Sequence, residues 1–340
     1  MFDKSNCVNC EKINCLTRCQ WIEINNIDDA RIEMSKMING EDSHVLSECV
    51  TCFACDEYCP YHSHPFDLIT NLQEKYNSLN INPNILERTT KTFAPHDQVR
   101  LKEIDPNKPV LNKCGLANIN SKNLQGQLFD NLQYVSGRDY FCNLMYHHYA
   151  RDSVIRERAP IILDNIKKQG IKEMICFHDE CYGFYTSYCS RNNIELPKEF
   201  KPIHTYEYLY NYLINHESGI KRLGIKIAYQ RSCSNRFIPE VDQWLDKICN
   251  LIGVERVLRK YDKENALCCG AILATLGKRT LLRKIQNDNI NDMIEYKAEA
   301  CIYSCSMCKE ALGNKVERKG IKNYLLSDLC RMALGEKLDY

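Results

Sequence analysis

Five cysteines between positions 233 and 308 carry the clearest chemical signal in the sequence. They are Cys233, the adjacent pair Cys268 and Cys269, and the ends of the hook Cys305-Ser306-Met307-Cys308. A buried cysteine packs as a small hydrophobe, but its reactivity usually decides where several cysteines cluster. Two adjacent thiolates can bind one multi-iron centre from the same turn, and the following Gly270 lets the backbone approach that centre closely. The segment therefore predicts a metal cluster.

Two cysteine quartets stand near the beginning of the chain. The second, Cys49-x2-Cys52-x2-Cys55-x3-Cys59-Pro60, has the spacing of bacterial ferredoxins that bind [4Fe–4S] cubanes. The first, Cys7-x2-Cys10-x4-Cys15-x3-Cys19, is a looser match, because Gln20 stands where proline is usual. The fourth cysteine of such a run ligates the other cluster. The spacing therefore predicts one cubane on Cys49, Cys52, Cys55 and Cys19, and another on Cys7, Cys10, Cys15 and Cys59. The alternative is two zinc sites, which normally use well-separated Cys-x2-Cys hooks.

The cysteine pattern of the second part of the chain occurs twice, at an offset of 127 residues (269 − 142). Phe141 and Cys142 correspond to Cys268 and Cys269, and His178 and Cys181 correspond to Cys305 and Cys308. The first ligands, Cys114 and Cys233, are 119 residues apart (233 − 114). An internal repeat is stronger evidence than a single motif. It predicts a duplicated unit whose first copy lacks two of the five thiols.

The first copy retains a smaller set of ligands: Cys114, Cys142, His178 and Cys181. Three thiolates and one imidazole form a standard closed zinc set. They could also hold a cubane, since histidine replaces cysteine on iron in some clusters. Zinc is favoured over an iron–sulfur cluster or an empty site, because a redox-inert ion suits a structural remnant.

Short strand-like runs precede the ligands, and helical segments separate them. The runs cover residues 108–111, 174–177, 225–229 and 300–303, and the helical segments cover 151–168 and 278–297. Strands that alternate with helices predict parallel α/β units. Open sheets of this kind bind ligands at the carboxyl ends of their strands, where these cysteines lie.

The first part of the chain predicts helices instead, over residues 26–40 and 66–76. Residues 77–107 have little regular pattern and are interpreted as a linker. The predicted fold class is α+β: a helical domain with two cubanes over residues 1–95, then a duplicated α/β domain. Its halves cover 96–222, with the degenerate metal site, and 223–340, with the cluster site. They are expected to face each other across a pseudo-twofold axis.

These motifs together resemble the heterodisulfide reductases. The five cysteines from Cys233 to Cys308 resemble the cysteine-rich CCG domain of the disulfide-reducing subunit of those enzymes, and the two quartets are similar to their helical ferredoxin subunit. The iron–sulfur subunits of thiol:fumarate reductase and of anaerobic glycerol-3-phosphate dehydrogenase have a similar fused arrangement. The resemblance implies that Cys233, Cys268, Cys269, Cys305 and Cys308 hold a noncubane [4Fe–4S] cluster and are catalytic. An ordinary cubane on four of them is the alternative. Relatives often have His-Asp-Pro-Cys where this chain has Gln230-Arg231-Ser232-Cys233.

The resemblance implies an oxidoreductase subunit of anaerobic electron transport. Electrons would pass from a flavoprotein partner through two cubanes to the noncubane cluster, where a disulfide or similar acceptor is reduced. A second hypothesis is an electron relay between a dehydrogenase and a quinone-reducing or larger membrane complex. A third is a sensor or assembly protein with structural metal sites. The adjacent His147 and His148 are interpreted as a polar helix entry in preference to a substrate or proton site.

Composition sets the remaining expectations. The net charge of +1 argues against bulk nucleic-acid binding. Neither a G-x-G-x-x-G motif nor a P-loop occurs, so a flavin or nicotinamide must come from a partner. An odd count of 21 cysteines, with no signal region or apolar run, predicts a reducing, cytoplasmic location. Membrane association would come only through partners. A disulfide-rich hyperthermophile protein is the rarer alternative.

Overall fold

The structure is a computed structural model and describes residues 1–115 and 124–338. Its first part is helical. The helices are α1 (Lys4–Val8), α2 (Asn14–Thr17), α3 (Ile27–Ile38), α4 (His44–Glu48), α5 (Ala54–Tyr58), α6 (Pro65–Tyr76) and α7 (Pro83–Thr92). The start of α3 illustrates how the sequence sets these boundaries. The Asn26 side chain accepts hydrogen bonds from the backbone N–H groups of Asp28 and Asp29, which caps the helix.

Two parallel sheets follow. The first contains β1 (Val110–Asn112), β2 (Gln133–Val135), β3 (Glu173–Cys176) and β4 (Lys201–His204), and the second contains β5 (Lys226–Gln230), β6 (Glu255–Arg256), β7 (Ala300–Tyr303) and β8 (Lys322–Leu325). The strand orders are β2-β1-β3-β4 and β6-β5-β7-β8. Each predicted strand-like run overlaps one of the inner strands β1, β3, β5 and β7. The expectation of a mixed fold with two small parallel sheets is confirmed.

Helices pack on both sheets. They are α8 (Asp152–Gln169), α9 (Asp179–Gly183), α10 (Cys189–Arg191), α11 (Thr205–Asn215), α12 (Asp242–Ile252), α13 (Ala271–Thr275), α14 (Arg279–Glu295), α15 (Ser306–Glu317) and α16 (Leu326–Ala333). Short 3-10 helices cover Arg138–Tyr140, Leu144–Tyr149, Glu217–Gly219, Ser234–Phe237, Pro239–Val241 and Lys263–Asn265. A π-helical turn, Phe184–Tyr188, joins α9 to α10. Such turns often occur at functional sites.

One hydrophobic core joins the two sheets. It includes Leu111 and Ile175 of the first sheet together with Ala228 and Ile302 of the second, all at most 1% exposed. A second core lies beneath the first sheet, and a third fills the helical region. Because the central core spans both sheets, the carboxyl ends of their strands are held in a fixed relation.

Buried ion pairs fix the helical region against both halves of the sheet region. Glu57 of α5 binds Arg231 at 2.7 Å and Arg236 at 2.6 Å, and both arginines belong to the second half. Arg191 of the first half binds Asp56 and Asp67, each at 3.2 Å. Pairs removed from water in this way are costly to break.

The interpretation of residues 77–107 as a plain linker was wrong, because the segment contains α7. The Asn82 side chain accepts a hydrogen bond from the Asn84 backbone, and Pro83 occupies the first helical position. Asparagine at the cap followed by proline starts a helix well. The dipeptide Asn82-Pro83 therefore marks the start of a helix.

Within residues 1–115 and 124–338, no helix has both the length and the apolar character needed to cross a bilayer.

Candidate metal centres and the cavity between them

The eight cysteines of the two quartets lie around two small cavities in the helical region. Cys7, Cys10, Cys15 and Cys59 line the first. Cys19, Cys49, Cys52 and Cys55 line the second, which Cys15 also borders. Each group combines three cysteines of one quartet with the last cysteine of the other. Their binding of cubanes stays a prediction, but the donors it requires are adjacent.

The backbone around these cysteines turns sharply and directs N–H groups at sulfur. Thr51 and Phe53 have left-handed φ values of 54° and 63°. The Thr51 N–H donates to Cys49 Sγ at 3.3 Å, and the Ser63 N–H donates to Cys59 Sγ at 3.3 Å. Hydrogen bonds to cluster sulfurs tune reduction potentials. Burial raises the pKa of Cys49 to about 12, so this thiol ionises readily only when a cation accepts its charge.

The five cysteines of the second half line a single cavity of about 310 Å³. Cys233 follows β5, the adjacent pair precedes α13, Cys305 caps α15 and Cys308 lies in its first turn. Gly270 has a left-handed φ of 84°. A Cβ added at Gly270 would clash with Leu282 Cδ1, and the left-handed backbone would strain a larger residue there. Gly270 is therefore required for the turn that directs Cys268 and Cys269 towards the cavity.

The thiols of this group are close enough to hydrogen-bond one another. Hydrogen bonds from Cys268 and Cys308 hold the pKa of Cys269 well below its usual range. Burial, followed by the charges of Glu180, Cys269, Cys305 and Cys52, raises the pKa of Cys233. The Cys233 thiol therefore lies near the first half and near the second quartet as well as its own group.

The first half brings three of its four predicted ligands together. The ligand atoms of Cys114, His178 and Cys181 lie within 4.8 Å of one another, and all three residues are buried. Burial raises the pKa of Cys142, and a hydrogen bond with Cys181 offsets part of this rise. Cys142 is not among the three residues of this group. Nε2 of His178 is buried and has no hydrogen-bond partner within the described residues. These donors fit a metal ion.

Both ligand groups face the same cavity. Cys114, His178 and Phe141 line it from the first half. Burial lowers the pKa of His178, but the hydrogen bond with Cys114 and the charges of Cys114 and Cys305 outweigh that effect and raise it to about 9. Burial raises the pKa of Glu180, another cavity residue, to about 7. The remaining wall is largely apolar and includes Phe93, Met145, Ile272 and Met307.

Asp179 connects the first half to the ligand loops of the second. It accepts hydrogen bonds from Ser232, which precedes Cys233, and from Ser304 at 3.1 Å, which precedes Cys305. His204 Nδ1 accepts the Tyr206 N–H at 3.1 Å, so its Nε2–H donates to Asp179 at 2.8 Å. Burial raises the pKa of Asp179, but these bonds outweigh it and hold the pKa below the usual range.

His148 connects the second quartet to Cys233, although the sequence favoured a polar helix entry at this residue. Thr51 Oγ1 lies 2.9 Å from His148 Nδ1, and His148 Nε2 lies 3.4 Å from Cys233 Sγ. The Thr51 hydroxyl donates to the Val50 carbonyl, so His148 Nδ1–H donates to Thr51 and Nε2 faces the thiol as an acceptor. Burial and the neighbouring His147 lower the pKa of His148 to about 4. The pairing spans 85 residues of sequence, and no local pattern signals it.

Comparison with known proteins supports the second half most directly. Residues 227–313 match the CCG family, described as a cysteine-rich domain. This range contains all five cysteines of the second-half group and supports a domain like the CCG domain of heterodisulfide reductase. It covers about a quarter of the chain. No curated protein matches the chain.

One solved structure supports the fold and nothing further. A hypothetical protein from Helicobacter pylori has a TM-score of 0.60 and 14% identity over 92% of this chain. The chain spans 65% of that protein's length. An aspartate racemase from Picrophilus torridus has a TM-score of 0.35 and 12% identity, covering 68% of this chain and 95% of the racemase. A glutamate racemase from Bacillus anthracis has a TM-score of 0.36 and 10% identity, covering 67% and 79%.

Proposed function

We propose that the chain is an iron–sulfur subunit of a heterodisulfide reductase-like oxidoreductase. Electrons from a flavoprotein partner would pass through two cubanes to a noncubane [4Fe–4S] cluster in the second half, where a disulfide or similar acceptor is reduced. The observation that carries this proposal is the cavity lined by all five cysteines of the CCG domain.

The donor set fits such a cluster. Four thiols, those of Cys268, Cys269, Cys305 and Cys308, form a chain of hydrogen bonds. Cys233 completes the set from the loop after β5. All 21 cysteines of the chain are free thiols, so none of these donors is consumed by a disulfide. When bound, an iron–sulfur cluster supplies electrons one at a time.

The residues of the chain provide a route and a binding place. Thr51 lies between Cys49 and Cys52 and contacts His148, which contacts Cys233. The His148 side chain therefore links the second quartet to the cavity. The apolar wall excludes water from an acceptor bound beside the five thiols. Reduction of a disulfide takes up two electrons and two protons and yields two thiols. The cavity beside the five thiols gives the acceptor a protected space for this reaction.

A relay subunit without its own catalysis is the second candidate. It is favoured by the first half, where Phe141 and His178 occupy the positions of two thiols. Two five-thiol sets could bind both sulfurs of a disulfide, whereas a single set binds one. In a relay, electrons would continue to a quinone-reducing or larger complex.

Oxidation of the reduced protein separates the two candidates. The anaerobically prepared chain is reduced with dithionite, freed of excess reductant, and mixed with bis(2-hydroxyethyl) disulfide while visible absorbance and thiol release are followed. The reductase predicts re-oxidation with release of free thiol, which Cys233→Ser abolishes and Cys249→Ser, a buried cysteine outside the cavity, retains. Reduced clusters that persist in disulfide but are oxidised by a quinone would instead identify a relay.

A further inference from the structure

The first-half metal group has the composition of an open site. Its three residues, Cys114, His178 and Cys181, make a Cys2His set within 4.8 Å. Catalytic zinc sites use three protein ligands, including this combination, and leave the fourth position for water or substrate. Structural zinc sites use four. Cys142, the fourth residue predicted from sequence, hydrogen-bonds to Cys181 but is not among the residues whose ligand atoms all lie within 4.8 Å of one another.

An independent observation points to a bound cation at this place. His178 is 5% exposed, and its Nε2 has no hydrogen-bond partner in the part of the chain that the structure describes. Buried polar atoms nearly always have a partner, and an exception requires an explanation such as an ion. Imidazole nitrogen and thiolate sulfur are both ligands that zinc prefers.

The position of the group relative to the cavity decides what the cation could bind. Cys114 and His178 border the cavity of about 310 Å³, whereas Cys181 and Cys142 lie away from it and are buried. The protein therefore closes one side of the group and leaves the cavity side accessible. The five cysteines of the second half line the same cavity. A small molecule between the two walls would touch both groups.

We propose that Cys114, His178 and Cys181 hold a divalent cation, with zinc preferred. The fourth coordination position of this cation opens to the cavity and binds a substrate sulfur. The identity of this ligand as a thiol or disulfide sulfur rests on the proposed function. When two electrons from the cluster row break an S–S bond, two thiolates form. The second half then holds one sulfur and the first half holds the other. The altered first half thereby keeps a role in binding, through a cation in place of a cluster.

X-ray absorption at the zinc edge tests this directly, because it reports zinc alone in a protein rich in iron. The full-length chain is prepared anaerobically with its clusters and about one zinc, and measured with and without 2-mercaptoethanol. The open site predicts about two sulfur ligands before the thiol and about three after it. A count of about three that the thiol does not change would mean that Cys142 closes the site. A count that stays at about two, or absence of zinc, would equally overturn the proposal.

Variants identify the ligands and separate this proposal from the redox function. Cys142→Ser should leave the sulfur count and its response to thiol unchanged, while Cys181→Ser should remove about one equivalent of zinc. His178→Ala should remove about one equivalent of zinc. The wild-type response remains decisive if a variant does not fold. A zinc response without disulfide reduction would refute the redox function alone, and reduction without a zinc response would refute the open site alone.

Discussion

The two halves of the sheet region present the same framework with different chemistry. The strand orders correspond, and His178 and Cys305 occupy the same place, capping the helix that follows the third strand of each half. Asn143 and Gly270, at the repeat offset of 127 residues (270 − 143), both have a left-handed φ, of 63° and 84°. These matches favour a duplication. The second half offers five thiols to the cavity, and the first offers a mixed set beside an aromatic ring.

The difference shows that the same strand order can carry different side chains at the positions of the ligands. Phe141 fills the position of a thiol and packs against Phe93, with ring centroids 4.9 Å apart. Its ring lines the cavity that a cluster on this side would need. Asp179 meanwhile reaches from the first half to the loops of the second. The first half therefore forms one wall of the cavity and supports the ligand loops of the second half.

The largest effects are expected from removing one ligand in each half. Cys308→Ser should lose about four iron atoms per chain and all disulfide reduction, because the noncubane site loses a donor. Cys181→Ser should keep its iron and lose about one zinc. Metal analysis of both proteins measures this. Cys330→Ser, a buried cysteine of α16 outside both groups, is the control and should keep all metals. Loss of iron from Cys181→Ser would contradict the proposed difference in metal content between the two halves.

Restoring the missing thiols should make the halves alike. The double variant Phe141→Cys with His178→Cys should gain about four iron atoms and lose zinc, because the first half then has five thiols. Replacing the ring costs about 3 kcal/mol of unfolding free energy, so denaturation is measured in parallel. Phe141→Ser with His178→Ser creates the same space without thiols and should gain no iron. Equal iron in the two double variants would count against the duplication.

Asp179→Asn should weaken the support that the first half gives to the second. An amide at this position faces three donors and retains one acceptor, so unfolding free energy should fall by about 2–4 kcal/mol. Chemical denaturation measures this loss, and the line shape of the second-half centre should change with it. Asp164→Asn breaks an exposed pair with Lys168 and should cost less than about 0.5 kcal/mol. Equal losses in both variants would mean that Asp179 supports nothing across the halves.

The smallest effect is expected at His148. A ligating Cys233 has no thiol proton, so His148 then donates Nε2–H to its sulfur. The Thr51 hydroxyl turns from the Val50 carbonyl and donates to His148 Nδ1. His148→Ala should lower the reduction potential of the second-half centre by about 40 mV, because a hydrogen bond worth about 1 kcal/mol is lost. Potentiometric titration followed by electron paramagnetic resonance measures the shift. The exposed His96→Ala is the matched control. A shift of both cubane signals instead would place His148 elsewhere in the electron path.

The sequence predicted the parts that depend on local spacing. The inner strands, and the cysteines that line each cavity, could be predicted from short patterns around each cysteine, because a strand, a turn and a helix start each depend on a few neighbouring residues. The binding of metal by these cysteines stays a prediction. The approach of His148 to Cys233 and of Asp179 to Ser304 joins residues 85 and 125 apart. Such contacts arise only when the halves pack, so no local pattern contains them. The helix α7 was missed because its cap and proline were interpreted as a break.

The central claim is that the five cysteines of the second half hold one multi-iron centre distinct from the two cubanes. Low-temperature electron paramagnetic resonance of anaerobically prepared Cys268→Ser tests it most directly. This variant is expected to lose the noncubane signal and keep both cubane signals, because Cys268 lines the second-half cavity and neither of the two cavities of the quartets. Persistence of every wild-type signal in the variant would contradict it.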